Sequence, residues 1–217
     1  MDTKTIAHKP FVFTGSGGEY FKVWIVNIVL TVLTLGIYSA WAKVRNKRYF
    51  YGNTLLDGAT FAYRAEPVTI LKGRLIAVGL LILYSVVSGL LPPLEWVLSL
   101  LLLAGLPWLI CCALAFNARY SVYRGLRFDF TGRYGEAFGV FILLPLLIPL
   151  TMGLMLPYFA YRTHRFVVEH HRYGTAGFSL NTGAKGFYVI YAKAALLALA
   201  VVLVVFPAVG ALGAAAD

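Results

Sequence analysis

The sequence predicts an all-α integral membrane protein made of two tandem repeats, each a broken or re-entrant apolar helix flanked by short β segments at the membrane surface. Three observations predict it. Of 217 residues, 60% are hydrophobic and only 13% charged, with a mean hydropathy of +0.77, against about 45–50% apolar in soluble domains. Several apolar runs, roughly five, approach the length that crosses a hydrocarbon core about 30 Å thick. The chain also matches itself at a shift of 117 positions, with Phe11 falling on Phe128.

Nineteen Lys and Arg against nine Asp and Glu leave a net charge of +10, which in a water-soluble protein points to nucleic acid. Here the basic residues gather at the ends of apolar runs, where they set topology and meet lipid headgroups. Anionic membrane lipids are therefore the expected partners, and nucleic acid is not. Cys111 and Cys112 are adjacent inside an apolar run, so neither a disulfide framework nor a spaced metal knuckle is available. The opening MDTKTIAHKP has no apolar h-region, and no cleaved signal peptide is expected.

The first apolar run covers residues 21–42 behind Ser16-Gly17-Gly18-Glu19, which fits a capping box. The second, 75–91, follows Lys72 and Arg74 and stops at Pro92-Pro93; the third is 96–116, so Pro92-Pro93-Leu94-Glu95 reads as a tight hairpin between two spans. The fourth, 138–159, holds Pro145, Pro149, Gly153 and Pro157 and cannot be one straight helix. The fifth, 194–216, is interrupted by Pro207 and Gly210.

The self-match organises these runs. Phe11-Val-Phe-Thr-Gly15 lies on Phe128-Asp-Phe-Thr-Gly132, Gly18-Glu19 on Gly135-Glu136, Leu33-Thr34 on Leu150-Thr151, Gly36 on Gly153, and Arg45 and Arg48 on Arg162 and Arg165, with no gap. The division expected is 1–118, one repeat with the following helical hairpin, and 119–217, a second repeat short of its last segment. Phe11-x-Phe13 and Phe61-x-Tyr63, and again Phe128-x-Phe130 and Phe178-x-Leu180, suggest short strands that pair within each unit. Such pairing returns both ends of the first and fourth runs to one face. Those runs would be re-entrant, turning at Thr34-Leu35-Gly36 and between Pro149 and Gly153. The basic stretches agree, since they flank these runs while the Pro-Pro hairpin carries no cation, which puts the hairpin outside. The competing plan has both runs crossing fully, with inverted repeats as in many transporters.

Phe-Thr-Gly-Ser-Gly-Gly-Glu-Tyr-Phe at 13–21, Leu-Thr-Leu-Gly-Ile-Tyr-Ser-Ala-Trp-Ala-Lys-Val-Arg-Asn-Lys-Arg-Tyr-Phe-Tyr-Gly-Asn-Thr at 33–54 and Leu-Asp-Gly-Ala-Thr-Phe-Ala-Tyr at 56–63 resemble the YjgN-like bacterial inner-membrane proteins, a domain of unknown function. The likeness is looser in the second repeat, where Met155-Leu-Pro-Tyr-Phe-Ala-Tyr161 replaces the Tyr-x-x-Trp-Ala-Lys-Val pattern. The resemblance implies a multi-pass inner-membrane protein, with fuller-length members longer than this chain, and supplies no reaction or ligand.

Arg45-x-x-Arg48 and Arg162-x-x-Arg165 each put two guanidinium groups on one helical face. They are candidates for an anion or headgroup clamp, because the planar fork bonds phosphate bidentately; the alternative is plain anchoring by snorkelling side chains. Glu19 and Glu136 either favour a helix N-terminus or neutralise those arginines. His164, Glu169, His170 and His171 fit no metal-site spacing and read as a polar helix stripe, so no metal or cofactor is expected. Lys193 reads as an edge anchor beside Phe187, Tyr188 and Tyr191. There is no phosphate loop, Ser/His/Asp set or carboxylate pair, and no catalytic residue is assigned. The expected function is non-enzymatic transport or binding of a small solute or lipid. The alternatives are a structural or regulatory component that assembles with itself or a partner, and a membrane metalloenzyme using the His cluster.

Overall fold

The structure is a computed structural model that describes residues 9–214, with side chains as far as Val202. The opening residues 1–8 and the end of the fifth run beyond Ala214 lie outside it. The chain packs as two compact units, one holding the residues up to Thr131 together with His171–Gly177, the other Gly132–His170 and the residues from Phe178 on.

The first unit corrects the all-α expectation. It contains a seven-stranded antiparallel sheet in chain order: β1 (Phe11–Phe13), β2 (Thr54–Leu56), β3 (Ala59–Tyr63), β4 (Ser121–Tyr123), β5 (Leu126–Phe130), β6 (His171–Tyr173) and β7 (Ala176–Gly177). Two of its hairpins close on two-residue loops with both central residues at positive φ, Asp57 (+51°) with Gly58 (+74°) and Arg124 (+46°) with Gly125 (+83°). That geometry matches the right-handed twist of the flanking strands.

The strand pairing differs from the expected one. Phe11 faces Leu56 rather than the 61–63 segment, because β2 lies between them; Phe61 and Tyr63 instead face Tyr123 and Ser121. Residues 178–180 form no strand. Helix α7 (Leu156–Glu169) is followed in sequence by the three-residue β6, whose register with β7 ends at Arg172↔Gly177.

Between paired strands the chain makes helical excursions. From β1 it enters α1 (Gly17–Leu33), turns, and returns through α2 (Ser39–Gly52) to β2, so both ends of the first apolar run reach one sheet. Ser16 caps α1, its Oγ accepting from Glu19 N at 3.2 Å. From β3 the chain enters α3 (Pro67–Leu90), passes a 3-10 turn at Pro92–Leu94 and returns through α4 (Glu95–Tyr120) to β4. Arg48 ties α2 to the sheet end, its Nε and Nη2 donating to the carbonyls of Tyr63 and Ala65 at 3.4 and 3.2 Å. The core of this unit sits at that junction: Ala40, Val44, Tyr63, Ala65 and Ile70, with Trp41, Tyr51 and Phe116 against it.

The second unit starts with α5 (Tyr134–Phe138), a π-helical stretch at Gly139–Leu143 and α6 (Leu144–Leu150), then turns into α7. Its last helix, α8 (Ala184–Ala214), begins earlier than the apolar run and encloses Lys193, with the backbone remaining helical through Pro207 and Gly210. Neither residue interrupts it, which corrects the sequence expectation.

The two turns use one hydrogen-bond pattern. Thr34 Oγ1 donates to Leu30 O (2.7 Å) and accepts from Tyr38 N (2.9 Å). Thr151 Oγ1 donates to Leu147 O (2.8 Å) and accepts from Met155 N (3.1 Å). Leu35 and Gly36 have φ of +50° and +91°, Met152 and Gly153 +48° and +88°. In both turns the glycine N–H closes on a carbonyl five residues back, Thr31 and Ile148 respectively. Gly suits these positions because the left-handed region carries no Cβ penalty for it.

Candidate functional site

Among the described residues, three helices are long and apolar enough to cross a membrane: Pro67–Leu90, Pro92–Tyr120 and Ala184–Val202. Their apolar side chains point outward; Ile76 is 67% exposed and Leu101 65%. Water would not tolerate so large an apolar surface, whereas hydrocarbon does.

Polar groups converge in the second unit. A cavity of about 210 Å³ is lined by Glu136, Val140, Arg162, Arg165, Phe166, Glu169 and His170. Helix α7 supplies most of it, because positions 162, 165, 166 and 169 share one face at three- and four-residue spacing. Glu136 enters from the first turn of α5. Arg165 is already engaged: Nε donates to both Glu169 oxygens at 2.9 Å and Nη1 to Tyr161 Oη at 3.2 Å. These bonds raise its proton affinity further, the Glu169 bond most. His170 Nε2 lies 2.7 Å from Glu136 Oε2, and its Nδ1 lies 2.8 Å from Phe166 O. Arg162, half-buried on the same wall, makes no hydrogen bond or ion pair among the described residues.

The four sequence-picked arginines therefore divide. Arg162 and Arg165 meet Glu136 in one cavity. Arg45 is exposed on α2 without a partner among the described residues, and Arg48 is committed to backbone carbonyls. Glu19 accepts from Tyr49 Oη at 3.4 Å, in the first turn of α1. In the first half, Gly52 and Asn53 stand where Glu169 and His170 stand in the second. His164 packs on Phe187, and His171, on β6, meets the Phe130 ring edge-on. No cluster of three metal-ligating side chains occurs among the described residues.

Sequence reasoning missed several polar partners. Asn27, 4% exposed within α1, donates through Nδ2 to Asn46 Oδ1 at 2.8 Å. Lys47 donates to Asn117 Oδ1 at 2.6 Å and lies 4.6 Å from the Tyr63 ring centroid; burial, then Lys43, lowers its proton affinity. Beside this network the sheet carries a second cavity of about 400 Å³, walled by Phe11, Phe50, Phe61 and Phe128.

Apolar spans joined to a sheet that receives the ends of the helical excursions define a multi-pass membrane protein. The chain belongs to the family described as bacterial protein of unknown function (DUF898), whose model matches residues 8–217. It is similar to the inner membrane protein YjgN of Salmonella typhimurium, 34% identical over 160 residues, covering 72% of this chain and 40% of that protein. Inner membrane protein YjgN of Escherichia coli K12 is 35% identical over 144 residues, 66% of this chain and 36% of the relative. The chain thus spans well under half the length of these curated relatives. No solved structure matches. The relatives and the spans together put the chain in the bacterial inner membrane.

Proposed function

We propose that this chain is a non-enzymatic membrane protein that binds a phosphate-bearing membrane lipid in the α5–α7 cavity. The observation that carries it is Arg162, an uncommitted guanidinium on a cavity wall whose other charges are paired. A half-buried arginine without a carboxylate is suited to an anion brought to it, and its fork fits phosphate. The cavity lies below the range of about 300–1,000 Å³ typical of sites for drug-sized ligands, which fits a headgroup rather than a whole lipid.

The membrane plan belongs to the same reading. Both halves descend from one unit, as the matched bonds at Thr34 and Thr151 support. Helices α1 and α2 enter the membrane and return without crossing it. Arg74, only two turns into α3, donates to Ser39 at the start of α2, which keeps the tip of that loop near the inner end of α3. The inner surface is then the basic one and the Pro92–Leu94 turn the outer one.

A second reading, self-assembly as a structural component, is favoured by the sheet edge: β1 leaves Phe11, Val12 and Phe13 more than half exposed, as 67, 52 and 51%, and an open edge invites strand addition.

The test is mass spectrometry of lipid co-purified with wild type, Arg162→Gln and Arg162→Lys. Phospholipid per protein falls in both variants, further in Gln, if Arg162 binds phosphate. Equal amounts in all three would refute the proposal.

A further inference from the structure

Resting on that reading, we infer that the α5–α7 cavity selects a zwitterionic headgroup, a phosphate bearing a primary ammonium a few bonds away, over a purely anionic one. The charges facing the cavity carry the argument. Arg165 is neutralised by Glu169 through two 2.9 Å contacts. His170 Nε2 lies 2.7 Å from Glu136 Oε2, and the second oxygen of that carboxylate, on a side chain 55% exposed, has no partner among the described residues and can accept from a ligand. Arg162 supplies the matching positive charge from α7. One wall thus offers a free guanidinium and the facing wall a carboxylate with spare acceptor capacity.

A lone phosphate satisfies Arg162 and then meets the Glu136 carboxylate within the same 210 Å³, the Glu169 charge being matched by Arg165. Like charges brought together in a restricted space work against each other. A phosphate carrying an ammonium reverses that term: the phosphate lies on Arg162 and the amine N–H groups donate to Glu136. Charge-assisted bonds at both ends are stronger than neutral ones and fix orientation. A quaternary ammonium of similar charge has no N–H to donate and loses the second contact. Specificity therefore comes from the Glu136 wall as much as from Arg162.

The full chain, reconstituted in nanodiscs containing equal phosphoethanolamine, phosphocholine and phosphoglycerol lipids, is extracted and its retained lipid measured by native mass spectrometry. Wild type retains the phosphoethanolamine lipid in preference to each of the others by roughly tenfold, the scale on which one charge-assisted hydrogen bond counts. Glu136→Gln, which keeps an acceptor for His170, abolishes the preference while still retaining phospholipid. Arg162→Gln loses retention of all three. A wild type that retains no lipid refutes the binding proposal itself. One that retains phosphoglycerol lipid as well or better, or whose preference survives Glu136→Gln, overturns the zwitterion inference and leaves phosphate binding intact. A parallel ³¹P NMR titration with water-soluble phosphoethanolamine separates the two sources of this chemistry. Glu136-dependent binding of the free compound assigns the site to a solute, and Glu136-dependent retention of the lipid alone assigns it to a headgroup.

Discussion

Arg124 donates through Nη2 to the carbonyl oxygen of Asp57 at 2.7 Å and to its carboxylate at 2.9 Å, across 67 residues of chain. The α3–α4 hairpin lies between them, so the bond fastens the loop tips of two β-hairpins on either side of a membrane excursion. Lys9 reaches the same carboxylate at 2.6 Å.

The first prediction concerns acid. The hydrogen bond from Lys9, then that from Arg124, holds the Asp57 carboxyl below its ordinary value of 3.8. A depressed carboxylate stabilises the fold at pH above its unfolded value, and the contribution is lost as the pH falls through the folded value. We therefore expect detergent-solubilised wild type to lose thermal stability below about pH 4 more steeply than Asp57→Asn, with the two curves converging in strong acid. The effect is small, since the group is exposed and screened by water. Parallel melting curves across that range check it.

The second concerns the turns. At Gly36 and Gly153 an added Cβ meets nothing within 4 Å, so the penalty for Ala is one of backbone alone, at φ of +91° and +88°. We expect Gly36→Ala and Gly153→Ala each to cost about 1–2 kcal/mol. Thermal or denaturant unfolding in detergent measures this, and a neutral effect at both would contradict the turn geometry.

A third separates the two arginines of the first half. Arg48 satisfies the carbonyls of Tyr63 and Ala65, and Ala65 is fully buried. Arg48→Lys should destabilise by about 1–3 kcal/mol, because one ammonium does not replace the fork and a buried acceptor is left unpaired. Exposed Arg45→Lys should stay within about 0.5 kcal/mol of wild type. Equal stabilities for the two variants would remove the structural role given to Arg48.

Much of the helical plan was legible, because lipid imposes length and hydropathy on a span and Pro92-Pro93 stops one visibly. The Thr-x-Gly strings at residues 34–36 and 151–153 were legible as breaks, since a left-handed turn favours glycine whatever surrounds it. The strands at residues 11–13, 61–63 and 128–130 were legible by their alternation, but the seven-stranded sheet was not, because β2, β4, β6 and β7 are only two or three residues long and long excursions separate β1 from β2 and β3 from β4. The one local signal for β2 is Asp57-Gly58, a strong two-residue hairpin dipeptide. Of the residues that line the cavity, the sequence singles out Arg162, Arg165 and Glu136. The pairing of His170 with Glu136 was not legible, because residues 34 positions apart meet only once the α6–α7 turn has brought the helices together. Arg48 was legible as a cation but not as a carbonyl donor, since that role depends on where β3 ends.

The central claim is that the helical excursions closed by the sheet leave from it and return to it on the inner side of the membrane. Single cysteines at Thr60, Arg127 and Thr175, on the three β-hairpins, and at Glu95 beside the Pro92–Leu94 turn, placed in a chain with Cys111 and Cys112 replaced by Ala, test it with a membrane-impermeant maleimide applied to spheroplasts. We expect Glu95→Cys to label at once, and the three sheet positions to label only after the membrane is opened. Labelling of Arg127→Cys or Thr175→Cys from outside, with Thr60→Cys protected, would place paired strands on opposite sides of the membrane and contradict the account.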